Sequence, residues 1–344
     1  MRRGAIHRVL VCAAAWYAVV ATAGVSLGQA AYTWEWPGGN AATGTWSERV
    51  GGAGTNLRYW KRNGAATAVL PGANDTVVIT SPTNGVGQVN FDGTGFNAGT
   101  GQIAHVFRSF EVRPLNTMRI NHTQGVSLLY IRATVGDLVI GSNGALEDAI
   151  LRGDQVNAGV NNVPGCEVSL ESVAQVRVAG RVYGGAPKGN ANNTLRGGNV
   201  KLVSTRNGGV GVQVTGHAIA GNGADNTSSP GGNVVVQADT ADLDLLRSNR
   251  AIWAGRGGNN TIGANGGAGG SVTIRSGRAI SLGSNNPGDL ATGWIFGGDG
   301  GSGLGTGGAG GNVSFQGGNI RAASLEVKFT ALVFAGTGGR RRRR

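Results

Sequence analysis

Apolar and polar residues alternate in four short phrases along the second half of the chain. They are Gly-Gly-Asn-Val-Lys-Leu-Val-Ser (197–204), Gly-Gly-Asn-Val-Val-Val-Gln-Ala (231–238), Gly-Gly-Ser-Val-Thr-Ile-Arg-Ser (269–276) and Gly-Gly-Asn-Val-Ser-Phe-Gln-Gly (310–317). A period of two predicts strands with one buried face. Val200, Val234, Val272 and Val313 form one inward column, and Leu202, Val236, Ile274 and Phe315 the next. A third column is small: Ser204, Ala238, Ser276 and Gly317. Fainter matches at Val168/Leu170/Ser172 and Leu138/Ile140/Ser142 extend the series upstream, with spacings of 30, 32, 34, 38 and 41 residues. Units this small must stack on their neighbours to bury a core, which predicts a solenoid.

Each phrase is followed by a second strand-like run and then a third, at Val182-Tyr183, Ile219-Ala220, Ile252-Trp253, Ile295-Phe296 and Val333-Phe334. A glycine-rich loop follows the third, longest at 255–270 and 297–311. Residues 184–311 hold 35 glycines in 128 positions, too many for helix interiors. Three strands and one extensible loop per unit predict an all-β chain folded as a right-handed parallel β-helix, with the loops along one edge as a flexible margin. A β-propeller blade would carry four strands, and a β-sandwich would not repeat its sequence. Asn199, Asn233 and Asn312 open three of the phrases. They suit either a coil-to-coil amide ladder or simply a turn backbone.

The first 30 residues have the form of a secretory signal: Arg2, Arg3 and Arg8, an apolar stretch at 9–20, and a small-residue cleavage site at Gly28-Gln29-Ala30. The apolar stretch is too short and interrupted for a membrane span, so no transmembrane helix is expected in the mature chain. Cys166 is then the one cysteine left, and no internal disulfide can form. The expected organisation is signal 1–30, a Trp-rich N-terminal cap 31–75, a parallel β-helix 76–339 with regular repeats from about 135, and an arginine tail 340–344. Strands are also expected between 81 and 135, although they do not align with the repeat.

Charge changes the picture less than the total of +12 suggests. Without the three signal arginines and five C-terminal ones, 22 basic residues face 18 acidic ones. That near balance, with no aromatic-basic platform in view, argues against nucleic acid as a partner. The arginines at 340–344 follow a short apolar run at 329–335. This arrangement is similar to sorting tails of the PEP-CTERM type, but Pro-Glu-Pro is missing and seven residues cannot span a bilayer. A charged end that discourages end-to-end pairing of the solenoid is the better account.

Trp34, Trp36, Trp46 and Trp60 cluster with Tyr32 and Tyr59 in the N-terminal segment, before the turn Pro71-Gly72-Ala73-Asn74-Asp75. They suit a cap over the first coil or, alternatively, a platform on which sugar rings stack. The run Trp34…Trp46-Ser47…Trp60…Pro71-Gly72…Asp75-Thr76-Val77 resembles the start of secreted bacterial β-helix proteins with autotransporter-type repeats. The Gly-Gly-Asn-Val phrases resemble those of filamentous-haemagglutinin-like adhesins. Together these resemblances cover about 31–80 and 165–317. They imply a secreted or cell-surface, adhesin-like stalk, although the chain is short for an adhesin and no translocating barrel is expected on it.

No catalytic residue is assigned. The best local candidates are Asp242 and Asp244, two apart on one strand face, with Arg247 and Arg250 following. Polygalacturonase-like Asn-Thr-Asp and Gly-His-Gly motifs are missing, since Gly216-His217-Ala218 does not fit. Gly221-Asn222-Gly223-Ala224-Asp225 matches a calcium β-roll core once, and Gly297-Gly298-Asp299 misplaces the aspartate, so no metal is expected. His105, His122 and His217 are isolated, and no cofactor is expected. The reading is an exported bacterial surface or cell-envelope protein, a monomer acting through its faces on a surface glycan or envelope protein without catalysis. The alternative is a polysaccharide-binding or polysaccharide-cleaving β-helix protein.

Overall fold

The computed structural model describes residues 29–36, 39, 43–47, 59–122, 125–141, 149–155, 163–188, 195–245, 251–262, 265–282, 293–322 and 331–340. Residues 1–28 of the signal-like segment and Arg341 to Arg344 lie outside them. The described residues are all-β, with 26 strands in sheets of 17 and 9 strands and no α-helix. No helix among them is long and apolar enough to cross a membrane.

Three stacks of parallel strands recur in a fixed order, compatible with a β-solenoid. The first stack runs through Gln102–Phe107, Leu128–Ala133, Glu167–Ser172, the leading parts of Val200–Val214 and Val234–Leu245, then Val272–Ser276 and Val313–Gln316. The second runs through Ala31–Trp34, Thr76–Ile79, Ser109–Val112, Leu138–Ile140, Val176–Val178, the trailing parts of the two long strands, Ala279–Leu282 and Asn319–Ala322. The third runs through Thr43–Thr45, Gly87–Phe91, Asn116–Ile120, Ala149–Gln155, Arg181–Tyr183, His217–Ile219, Ala251–Trp253, Gly293–Phe296 and Ala331–Phe334. Antiparallel pairs occur near the N-terminus, where Trp60–Arg62 lies against Ala31–Trp34 and Phe96–Asn97 against Gln102–Phe107.

The inward columns follow the alternation. Val200, Val234 and Val272 pair in register and are fully buried, as are Leu202, Val236 and Ile274. The small third position has a specific task at the corner between the first two stacks. Ser172, Ser204 and Ser276 each accept the backbone N–H two residues on, at 3.0, 3.1 and 3.0 Å. Each also donates to a carbonyl of the preceding turn, Gly136, Ala174 and Ala241, at 2.9, 2.6 and 2.9 Å. A buried hydroxyl is costly unless satisfied, and this one is satisfied twice, once within its own corner and once by the turn before.

Two expectations about register are corrected. Leu138 pairs with Phe110 and Val176, in the second stack, so it is not the upstream partner of Val168. That partner is Leu129, and Ile103 precedes it, so the segment from 102 onward does join the repeat. The first inward column is therefore Ile103, Leu129, Val168, Val200, Val234, Val272 and Val313, with turns of 26, 39, 32, 34, 38 and 41 residues rather than a steady rise. In the third stack Val182 aligns with Ala218, not Ile219. A slip of one residue exchanges the faces, so Ile219 points outward beside Tyr183.

The glycine loops are not a flexible margin. Gly255 donates to Gly232, Gly270 to Gly255, Gly298 to Gly270, Gly311 to Gly298 and Gly336 to Gly311, all at 2.7–2.8 Å. Arms leaving the third stack thus alternate with arms returning to the first, in one continuous hydrogen-bonded layer. Three residues along, Gly267 donates to Gly258, Gly301 to Gly267, Gly308 to Gly301 and Gly339 to Gly308, at 2.8–2.9 Å. A period of three is that of a polyproline-II-type chain, but here each inward N–H finds a partner on the facing arm. Glycine is needed for proximity: a Cβ at Gly298 would lie 1.9 Å from the Gly255 oxygen, and one at Gly311 1.7 Å from that of Gly270.

The third position of the period points outward and is often polar. Asn222 accepts the N–H of Arg256 at 2.9 Å, Asp225 that of Asn259 at 3.0 Å, and Asn259 that of Ser302 at 2.9 Å. The asparagines opening the repeat phrases behave alike. Asn199 Oδ1 accepts from the N–H of Asn233, and Asn233 Oδ1 from that of Ser271, both at 2.8 Å. The ladder is therefore amide to backbone rather than amide to amide.

Gly298→Ala is expected to destabilise the fold by about 3 kcal/mol or more, since the methyl has only backbone to displace. Gly72→Ala, whose Cβ would meet nothing closer than the Asp75 carboxylate at 3.8 Å, is expected to change stability by less than about 0.5 kcal/mol. Urea unfolding followed by circular dichroism measures both.

Candidate functional site

Asp242 and Asp244 lie on the outer face of the second stack, alternating with inward, fully buried Leu243 and Leu245. The structure brings them onto one face, as the alternation requires, but each is occupied by a neighbouring turn. Gln213 Nε2 donates to Asp244 Oδ2 at 2.8 Å, and Asp244 is only 6% exposed. Asp242 Oδ1 accepts the N–H of Ala279 at 3.1 Å and faces Arg278 Nε at 3.5 Å. Arg247 and Arg250 fall outside the described residues. A shallow cavity of about 310 Å³ on the same stack is lined by Thr76, Ser109, Glu111, Asp137 and Val139. It lies three turns away from Asp244. Its carboxylates are likewise engaged: Glu111 with Arg113 at 3.1 Å, and Asp137 Oδ1 accepting the backbone N–H of Gln175 at 3.0 Å.

Among the described residues no group of three or more His, Cys, Asp or Glu is placed to hold a metal ion. The two aspartates of the near-matches to a calcium roll serve the backbone instead, Asp225 toward Asn259 and Asp299 toward the N–H of Thr337 at 2.7 Å. Cys166 is fully buried, and burial pushes its thiol pKa up, away from reactivity.

The four N-terminal tryptophans present no open ring face to a sugar. Trp34 and Trp60 are fully buried, Trp46 is 1% and Trp36 5% exposed. Trp60 meets Trp34 edge-on at 5.2 Å and Trp46 at 4.7 Å, and its indole N–H donates to the Trp46 carbonyl at 3.0 Å. Trp36 donates to the Thr80 carbonyl at 2.9 Å. The cluster packs onto the head of the inner columns, where Trp46 contacts Phe91 and His105 at 5.1 and 4.9 Å. The sugar-stacking expectation for Trp34, Trp36, Trp46 and Trp60 thus gives way to packing.

His105 occupies the inward column that continues as Ile131, Leu170 and Leu202. Burial among rings pulls its pKa down to about 4, with Asp92 opposing only in part.

The outer face of the third stack carries what the sequence reading missed. Arg152, Tyr183, Ile219, Trp253 and Phe296 align strand by strand in one outward column. Trp294, opposite Ala251, stands beside it. Trp253 and Trp294 are 43% and 42% exposed, although both are large and apolar. Phe296 contacts Trp253 at 5.2 Å and Trp294 at 6.1 Å, and the Arg152 guanidinium lies over the Tyr183 ring at 5.0 Å. The signal was present in the third-strand pairs, but the Ile219 slip hid the column. Folding thus places an Arg152–Tyr183 pair and a Trp253–Phe296–Trp294 patch on one sheet face.

Comparison with protein-family models, curated proteins and solved structures found no match to this chain. The reading of its function rests on its own residues.

The depressed pKa of His105 predicts an acid-labile N-terminal core. The unfolded chain takes up a proton near pH 6.5 that the folded chain refuses until about pH 4, so stability falls as pH drops through that window. The loss from this residue amounts to about 3 kcal/mol. His105→Leu, which matches the aliphatic column, is expected to remove that part of the slope in urea unfolding measured between pH 7 and pH 4.

Proposed function

We propose that this chain is a right-handed parallel β-helix exported to the bacterial cell surface or envelope, where it acts through its faces as an adhesin-like or structural module. The observation that carries this reading is the uninterrupted strand stacking in which the candidate carboxylates, Asp242 and Asp244 above all, already serve neighbouring turns. Right-handedness follows the strong preference of parallel strand crossovers. The signal-like N-terminus supports export, and the resemblance of the Gly-Gly-Asn-Val phrases to those of adhesins supports a surface role. Stacked turns of this kind stiffen a monomer along its length and present long, flat faces to partners.

The test is protease shaving of intact cells expressing the full chain, followed by fractionation. Surface digestion, or recovery in the envelope fraction, is expected; recovery of intact protein in the cytoplasm would overturn the proposal. Asp242→Asn/Asp244→Asn is expected to leave location unchanged. Loss of a glycan-cleaving activity in that variant, with its fold intact, would instead favour the enzyme.

A further inference from the structure

We infer that the outer face of the third stack is a binding strip for an anionic polysaccharide, running along the stacking direction from Arg152 to Phe296. This rests on the surface-acting reading above and names the face and the ligand chemistry.

Two independent features point there. The first is apolar: Trp253 and Trp294 keep about two-fifths of their surface in water, and Phe296 joins them into one patch. Large apolar side chains that adjoin in an exposed patch, rather than standing singly, mark interaction sites. Flat rings fixed on a β-sheet suit the C–H faces of pyranose rings. The four strand steps from Arg152 to Phe296 cover about 19 Å at the ordinary inter-strand spacing, the length of an oligosaccharide rather than a single sugar.

The second feature is charge. The described strands of this stack carry Arg119, Arg152 and Arg181, and one carboxylate, Asp154, which pairs with Arg152 at 2.9 Å. Arg152 is also the residue that meets the aromatic column, over Tyr183. A ligand bearing carboxylates or sulfates on sugar rings would meet rings and guanidinium groups in one pass. Nucleic acid offers stacking and charge too, but its affinity depends on many neutralised phosphates. Arg152, paired with Asp154, and Arg181 within the strip, with Arg119 one turn before it, suit a sparser charge. The strip is a run of in-register outward positions along a sheet face rather than a pocket, as a polymer requires.

The experiment uses the purified full chain with polygalacturonate, neutral dextran and a single-stranded thymidine oligonucleotide, read by affinity electrophoresis and tryptophan fluorescence at several salt concentrations. Polygalacturonate is expected to bind and to weaken with salt, and dextran to bind at least about tenfold more weakly. Trp253→Ala/Trp294→Ala is expected to reduce polygalacturonate binding about tenfold or more with an unchanged circular dichroism spectrum, and Trp253→Phe to retain most of it. Arg181→Gln is expected to flatten the salt dependence. Equal dextran binding, stronger oligonucleotide binding, no binding, or full binding by the double tryptophan variant would each overturn the inference. Protease shaving separates the two readings. A surface-exposed protein that fails to bind polygalacturonate sinks the strip and leaves the surface role standing, whereas a cytoplasmic protein sinks the surface role.

Discussion

Every turn of this fold depends on backbone hydrogen bonds to the turn before and the turn after. Parallel pairing in register satisfies strand amides in all three stacks, and the same coil-to-coil logic governs the positions that are not strands. Serines at the first corner donate one turn back, while asparagines and aspartates at the outer edge accept from one turn on. Among the described residues the strand pairings join neighbouring turns, so stability accumulates locally, as nearest-neighbour contacts do in repeat proteins.

Glycine extends this rule where side chains would forbid it. Backbone arms can run this close only if nothing projects between them, and a Cβ at Gly255, Gly270, Gly298 or Gly311 would lie 1.7–1.9 Å from a carbonyl oxygen of the like arm one turn back. Lengthening an arm by three residues adds one more hydrogen bond of the same kind, as the step from Gly255 to Gly258 illustrates. Longer loops toward the C-terminus therefore widen a layer instead of loosening an edge.

Much of the fold was legible because alternation is local. Val200 to Val313 and Leu202 to Phe315 could be stacked from four phrases alone, and their register holds. Upstream, the pattern admitted two answers, because Leu138/Ile140 alternates as well as Leu129/Ile131 does; only pairing across turns separates first-stack from second-stack strands. The glycine arms were misread since composition reports freedom of the unfolded chain, whereas their native partners lie 7 to 34 residues away on another arm, as Gly308 to Gly301 and Gly301 to Gly267 show. The tryptophans were legible as a cluster, and they pack against Phe91 and His105. The exposed strip was not, because its members sit one per turn and the small Ala218 concealed the inward register of the third stack.

The glycine arms form a hydrogen-bonded layer as ordered as the strands beside it. Native-state hydrogen exchange of the amides at 255–258, 267–270, 298–301 and 308–311 tests this most directly. Protection of Gly258, Gly267, Gly270, Gly298, Gly301, Gly308 and Gly311 comparable to that of Val234 and Val272 is the predicted result. Exchange at the rate of an unstructured chain, with the strands still protected, would contradict it.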